Sequence, residues 1–220
     1  MFSDFSVLIE YWPDIIEGIW LTLLIWAAGM FFGMFFGVLL ALLQLKAYFP
    51  IVLLVKMLNT ILRGTPFLIL LFLLYYGGPY IGLVLDPLPA GIIGLSIYSA
   101  AYFSEIFRSG FLAVPKGQVE AASMLGFSKL QILTRISLPQ MMLVIFPALV
   151  NMTIILVKET SIVSVITVSE LTSTLSRIGS LTFAYIPTLT FLALFYWVLL
   201  EGLSLWARRV EKKLAHYLIR

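Results

Sequence analysis

The sequence predicts an all-α fold, a polytopic membrane protein with about five transmembrane helices and one polar interruption on the cytoplasmic side. Three observations carry this. Of 220 residues, 61% are hydrophobic and 11% charged, where a soluble domain carries roughly a quarter charged residues. Several runs reach the ~20 apolar residues that a helix needs to cross a bilayer. Basic residues recur at alternate connections between those runs. A soluble fold is excluded, and the chain reads as one transmembrane domain over residues 1–220.

The first span is expected at 18–45, "GIWLTLLIWAAGMFFGMFFGVLLALLQL". Its Gly29, Gly33 and Gly37 recur every four residues and form one smooth strip, which serves close helix packing in lipid. The second is expected at 60–85. Pro66 there stands at a kink or a helix start, and Gly77, Gly78 and Pro79 loosen the far end. The preceding "FPIVLLVKML" belongs either to the span or to an interfacial piece. Further spans are expected at 89–112, 140–160 and 186–207. The segment "TSIVSVITVSELTSTLSRIGSLTFAY" between the last two is expected near the outer face, as short helices partly buried among the spans.

Charge sets the orientation. Asp4, Glu10, Asp14 and Glu17 precede the first span without a cation, and the second connection holds only Asp86. Lys46, Lys56 and Arg63 fall in the first connection, Lys116, Lys129 and Arg135 in the third, and Arg208, Arg209, Lys212, Lys213 and Arg220 in the tail. This bias puts the N-terminus outside and the tail inside. With no basic residue before the first span, the N-terminal segment lacks the n-region of a cleavable signal peptide and is expected to be retained.

Several chemistries have no support. The chain has no Cys and one His, His216, which leaves no ligand set for structural zinc, haem or an iron–sulfur cluster. Its basic residues form no aromatic-interleaved patch for nucleic acid. No G-x-x-x-x-G-K-[ST] loop is present, and five spans leave no room for a nucleotide-binding domain, so the chain is not expected to hydrolyse a nucleotide itself.

Polar residues within the spans mark candidate pathway positions. Tyr98, Tyr102, Glu105 and Ser109 fall on one helical face, and Arg108 follows Glu105 at a spacing that allows an ion pair. They read either as a polar stripe lining the inner half of a pathway or as a structural ion pair near the interface. Asn151 and Lys158, seven apart, also share a face, with Glu159, Thr160 and Ser161 next to it. Together these offer an acceptor for an ammonium and donors for a carboxylate. The alternative is that they only fix helix packing at the outer interface.

The polar interruption spans 114–139, "VPKGQVEAASMLGFSKLQILTRISLP". Ala121, Ala122 and Leu125 give a small apolar surface, Gly126 permits a tight turn, and "SKLQILTR" starts a second helix. Two short helices joined at Gly126 make a knob suited to a hydrophobic groove on a soluble partner. Leu138 and Pro139 then mark re-entry into the membrane.

Within this segment, Glu120-Ala121-Ala122, Gly126 and Ile136-Ser137-Leu138-Pro139 keep fixed offsets that resemble the EAA signature of permease subunits of ATP-binding cassette importers. "GIWLTLLI", "RGTPFLILLF", "AYFSEIFRSGFLAVPKGQVEAASMLG" and "LVNMTIILVKETSIVSVITVSEL" resemble the polar amino acid uptake branch, which includes histidine, arginine, glutamine and cystine importers. The similarity runs from about Gly18 to Arg209; Met141-Met142, Phe146 and Thr167 depart from it. The resemblance implies a type I importer permease fold in the cytoplasmic (inner) membrane of a prokaryote, with no catalytic residue or cofactor of its own. It also implies a coupling helix docked on a separate ATPase that holds ATP and Mg, a second permease subunit, an extracytoplasmic solute-binding protein and an amino acid substrate. A different small polar solute, or an ion-coupled secondary transporter using Glu105, are the alternative readings; the docking knob argues against the latter.

Overall fold

The computed structural model describes residues 5–216, with side chains to Lys213; Asp4 and Arg220 lie outside the described residues. Ten α-helices follow in order: α1 (Ser6–Glu10), α2 (Trp12–Lys46), α3 (Phe49–Gly64), α4 (Phe67–Gly77), α5 (Pro87–Ala113), α6 (Lys116–Met124), α7 (Lys129–Ile132), α8 (Leu138–Glu159), α9 (Leu171–Thr182) and α10 (Tyr185–His216). Among the described residues, four helical stretches are long and apolar enough to cross a membrane, or five if the bent pair α3 and α4 counts as one span.

α2 and α5 form the central pair. A Cβ on Gly29 would lie 2.7 Å from Leu95 Cδ2, and one on Gly37 2.6 Å from Phe103 Cβ, while Gly33 faces the Ser99 side chain directly. The Ser99 hydroxyl donates to the Gly29 carbonyl at 2.9 Å. The three glycines are therefore the seat on which α5 lies. α5 in turn presents Gly110 to Met141 and Ile145 of α8, where a Cβ would approach to 2.7 and 2.5 Å. Leu71, Leu95, Phe103, Ile145, Leu156 and Ile166, all essentially inaccessible, fill the core around this junction.

The second span breaks at Pro66, where the sequence places a kink or a helix start. Phe49–Gly64 and Phe67–Ile81 are bent by 106°. Thr65 is extended (φ −103°, ψ 130°), as the residue before a proline must be, and Pro66 has no N–H to continue the ladder. "FPIVLLVKML" is accordingly helical, within a helix that buries Val55 and Asn59. The first span also starts earlier than Gly18, at Trp12, with Pro13 in the opening turn where its missing N–H costs nothing.

Pro139 stands in the first turn of α8, as the sequence suggests, yet helicity does not begin there. Lys129–Ile166 runs as one helical stretch of 38 residues, with a π-helical turn at Leu133–Ser137 just before the proline. A wider turn absorbs the hydrogen bond that Pro139 cannot give, so helicity passes through it. The fifth span likewise runs past 207, to His216.

The connection between α8 and α10 is a 3₁₀ segment, Thr160–Ile166, and the amphipathic α9. Leu171, Leu175 and Ile178 pack with Ile15 in a second, smaller core. Glu170, fully buried, caps α9 by accepting from the N–H groups of Thr172 (2.9 Å) and Ser173 (2.8 Å). Burial raises its carboxyl above the usual range, against the opposing pull of these donors. Thr22 of α2 accepts from the Leu171 N–H at 3.1 Å, so the first turn of α9 is fastened to the first span.

The glycine seat makes a definite expectation. Gly33→Val should destabilise the chain by about 1–3 kcal/mol or more through overpacking, seen as a lowered Tm in mild detergent. Gly202→Ala, at a position with nothing within 4 Å of the added Cβ, should leave Tm unchanged or raise it.

Candidate functional site

The segment between α5 and α8 is a helical hairpin. α6 ends in a Schellman motif: the Gly126 N–H donates to Ser123 O and the Phe127 N–H to Ala122 O, each at 3.1 Å. Gly126 takes φ +81°, which only glycine adopts without cost. α7 then opens with a capping box, in which the Ser128 hydroxyl accepts from the Gln131 N–H and the Gln131 side chain accepts from the Ser128 N–H. Local sequence thus dictates stop, reversal and restart within a few residues.

Burial divides the signature residues. Ala122 and Ile132 are buried and hold the two arms together. Leu138 is half-buried and packs with part of its surface against the main core. Ile136 is half-buried, and Glu120, Ala121, Leu125 and Gly126 are exposed. At the tip, Leu125 is 77% and Met124 90% exposed, with Leu130 at 69% beside them. Gln140 Nε2 donates to Gln118 Oε1 at 2.7 Å and ties the hairpin to the foot of α8. Met124 and Leu130 were missed from sequence; a contiguous apolar tip on an otherwise polar hairpin is the signal that would have found them.

The polar stripe on α5 is present. The Tyr98 hydroxyl donates to that of Tyr102 at 3.4 Å, and the Tyr102 hydroxyl donates to Arg63 O at 3.2 Å. The Arg63 guanidinium lies over the Tyr102 ring, 5.5 Å from its centroid. Arg108 pairs with Glu105 at 2.7 Å, both side chains partly exposed, and the Arg63 charge also reaches that carboxylate. Ser109, exposed, spends its hydroxyl on Ile106 O. Behind the stripe, Gln44 of α2 and Asn59 of α3 both donate to the buried Ser104 hydroxyl, at 2.8 and 3.0 Å. This three-helix node was not foreseen, because its members lie far apart in the chain.

The α8 cluster is divided by the structure. Glu159 lies within electrostatic reach of Tyr98, and its Oε2 is buried without a hydrogen-bond partner among the described residues. Lys158 and Asn151 are both exposed; Asn151 lines a cleft with Ser204 and Arg208 of α10. Thr160, in contrast, is fully buried. Its hydroxyl donates to Val157 O at 2.7 Å and lies 3.4 Å from that of Tyr196. Ser161 donates to Lys158 O at 2.8 Å. Successive helical residues point about 100° apart, so Thr160 belongs to the packing between α8 and α10 and not to a surface shared with Lys158 and Glu159.

A family profile described as "Binding-protein-dependent transport system inner membrane component" matches residues 7–216. The chain belongs to this family of importer permeases. A probable amino-acid ABC transporter permease protein, YckA of Bacillus subtilis (strain 168), is 39% identical over 209 residues, covering 95% of the chain and 92% of the relative. The arginine transport system permease protein ArtQ of the same organism is 36% identical over 212 residues, covering 96% and 97%. Among solved structures, one described as an amino acid ABC transporter with histidines superposes with a TM-score of 0.87 at 34% identity, over 97% of the permease and all of that chain. The methionine transporter MetNI in an inward-facing form, at 21% identity and a TM-score of 0.77, shares the fold. The protein is thus a multi-pass ABC importer permease of the polar amino acid uptake branch.

Proposed function

We propose that the permease carries polar amino acids across the inner membrane of a prokaryote, driven by ATP hydrolysed with Mg on a separate ATPase subunit. The observation that carries the coupling is the hairpin tip, where Met124 and Leu125 stand exposed around a glycine turn. Apolar side chains projecting from a polar knob suit a groove on a soluble partner. The relatives named as amino-acid and arginine permeases support the cargo class.

The chain's stripe of Tyr98, Tyr102, Arg63, Glu105 and Arg108 is a partial lining. A second permease, the same chain or a similar one, completes the enclosure. An extracytoplasmic solute-binding protein delivers the amino acid to the face opposite the hairpin. In this reading the Glu159 carboxylate accepts the ammonium of the substrate, while the exposed Lys158 and Asn151, the latter about 12 Å from Glu159 along α8, line the pathway at other points. Closure of paired ATPases draws the two hairpins together and favours the outward-open state; release after hydrolysis reverses it, a population shift that requires the partners to bind the two states differently.

Two experiments test the parts separately. Met124→Glu with Leu125→Asp should leave the permease inserted but cut association with its ATPase by about tenfold or more, the scale of losing one well-buried apolar anchor; co-purification in mild detergent measures it. Gly126→Asp should have the same effect, and normal transport by that variant would sink the coupling assignment. For the pathway, Glu159→Gln should lower uptake of a labelled amino acid about tenfold or more with ATPase association intact. Uptake and selectivity unchanged in both Glu159→Gln and Asn151→Ala would remove Glu159 and Asn151 from the pathway. Uptake that persists when the proton gradient is collapsed and ATP remains separates this reading from an ion-coupled carrier.

A further inference from the structure

α10 is poorly covered by the rest of the chain: only 6% of its most apolar stretch is buried. Where it crosses α8 it leaves a groove of about 600 Å³, walled by Trp26, Met30 and Met34 of α2, Phe146 of α8, and Leu203 and Trp206 of α10. The polar groups in its walls are already used. Trp26 Nε1 donates to Thr153 O at 3.2 Å, and the Thr153 hydroxyl donates to Leu149 O at 2.9 Å. A hydrophilic solute would find nothing to bind there, whereas a hydrocarbon chain finds continuous apolar contact.

The stripe of α10 that lines the groove changes character at one end. Seven residues beyond Trp206, on the same face, stands Lys213, with Arg209 one turn away between them. Both are exposed, and neither joins an ion pair among the described residues; Arg208 is already paired with Glu201 at 2.9 Å. The neighbouring acid, Glu211, lines the adjoining cleft on the Asn151 side of α10, which meets the groove at Phe146, Val150 and Ile154. Trp206 itself is 57% exposed, the habit of an aromatic at the level of lipid headgroups. Apolar groove, interfacial tryptophan and unpaired cations follow one another along a single helix face.

We propose that this groove is a binding site for an anionic glycerophospholipid. One acyl chain lies between α2, α8 and α10, and the headgroup phosphate is held by Arg209 and Lys213. The lipid fastens α10 to the bundle along a face where the protein supplies few contacts of its own. Attraction between a basic side chain and an anionic lipid surface is worth roughly fivefold in affinity per residue, so the pair should give a marked headgroup preference.

The test uses the permease complex, purified with its partner subunits and reconstituted in vesicles containing phosphatidylglycerol or phosphatidylcholine brominated on the acyl chain. Fluorescence quenching is measured beside Trp206→Phe, so that the contribution of Trp206 is obtained by difference. Brominated phosphatidylglycerol should quench it at a mole fraction roughly 25-fold below that needed for phosphatidylcholine if the two contributions add. Arg209→Gln with Lys213→Gln should erase that difference and leave quenching by phosphatidylcholine as it was. Arg209→Lys with Lys213→Arg, which keeps both charges, should retain the preference, as should Lys46→Gln with Lys56→Gln. Equal quenching by the two lipids overturns the proposal. So does a preference that survives the Arg209 and Lys213 neutralisation, or one that the Lys46 and Lys56 changes abolish, since either means general surface attraction. Absence of Trp206 quenching by both lipids also overturns it, and shows that another subunit or a second copy covers the groove.

Discussion

The approach of α5 to α2 over Gly29, Gly33 and Gly37 is the constraint on which the rest depends. In lipid there is no hydrophobic gain from bringing two apolar helices together, so contact must come from close packing and from hydrogen bonds that lipid cannot offer. Glycines at a four-residue interval remove the side chains from one strip of α2, and Ser99 then reaches the Gly29 carbonyl. Once α5 is seated, its opposite faces are fixed. Gly110 receives α8, the Ser104 hydroxyl receives Gln44 and Asn59, and the stripe from Tyr98 to Glu105 falls on a face about 100° round α5 from the Ser99 seat. The position of every proposed pathway residue on α5 follows from the absence of three side chains on α2.

The same logic governs where polarity is tolerated. Thr22, Ser99, Ser104, Thr160 and Glu170 are all fully or almost fully buried, and each is held by a carbonyl, an N–H group or another side chain. Glu159 differs, because one of its carboxylate oxygens is buried without a partner among the described residues, a situation it shares with the side-chain oxygens of Gln44 and Asn59 in the Ser104 node. A carboxylate oxygen without a hydrogen bond is expensive inside a membrane protein. Its retention is understandable where a cationic group visits, which is the physical content of assigning Glu159 to an ammonium.

Legibility from sequence followed the range of the interaction involved. The hairpin was readable because its stop, turn and restart are encoded within residues 120 to 131: Gly126 supplies the left-handed turn and Ser128 with Gln131 supplies the cap. The ion pair of Glu105 and Arg108 was readable for the same reason, three residues on one helix. The sharp bend at Pro66 was harder, since proline permits a kink, a break or a start and tertiary packing chooses among them. Thr160 was misassigned because residues adjacent in sequence were treated as adjacent on a surface. The node of Gln44, Asn59 and Ser104 joins three helices, and no local pattern announces it. Nor did sequence reveal that Pro139 would be carried inside a continuous helix.

That continuity matters most for how a push at the hairpin would travel. Had Leu138 and Pro139 ended one element and begun another, the hairpin would be a loop hung from α8, free to tilt without moving it. Instead α7 passes through the π-helical turn into α8 and on to Glu159, about 45 Å at the helical rise per residue. A force delivered to α7 would pass along one helical stretch toward Glu159, with the π-helical turn at Leu133–Ser137 on the way. A π turn is rare, occurs mostly as a single bulge inside an α-helix, and is frequently found at functional sites. Conversion of this turn to α-helical register would rotate everything beyond it about the helix axis and alter the direction in which Glu159 and Lys158 face. Gln140, bonded to Gln118 across the hairpin and to Ile136 O behind it, sits where it senses both arms. The geometry therefore favours a lever with a single torsional joint over a flexible tether.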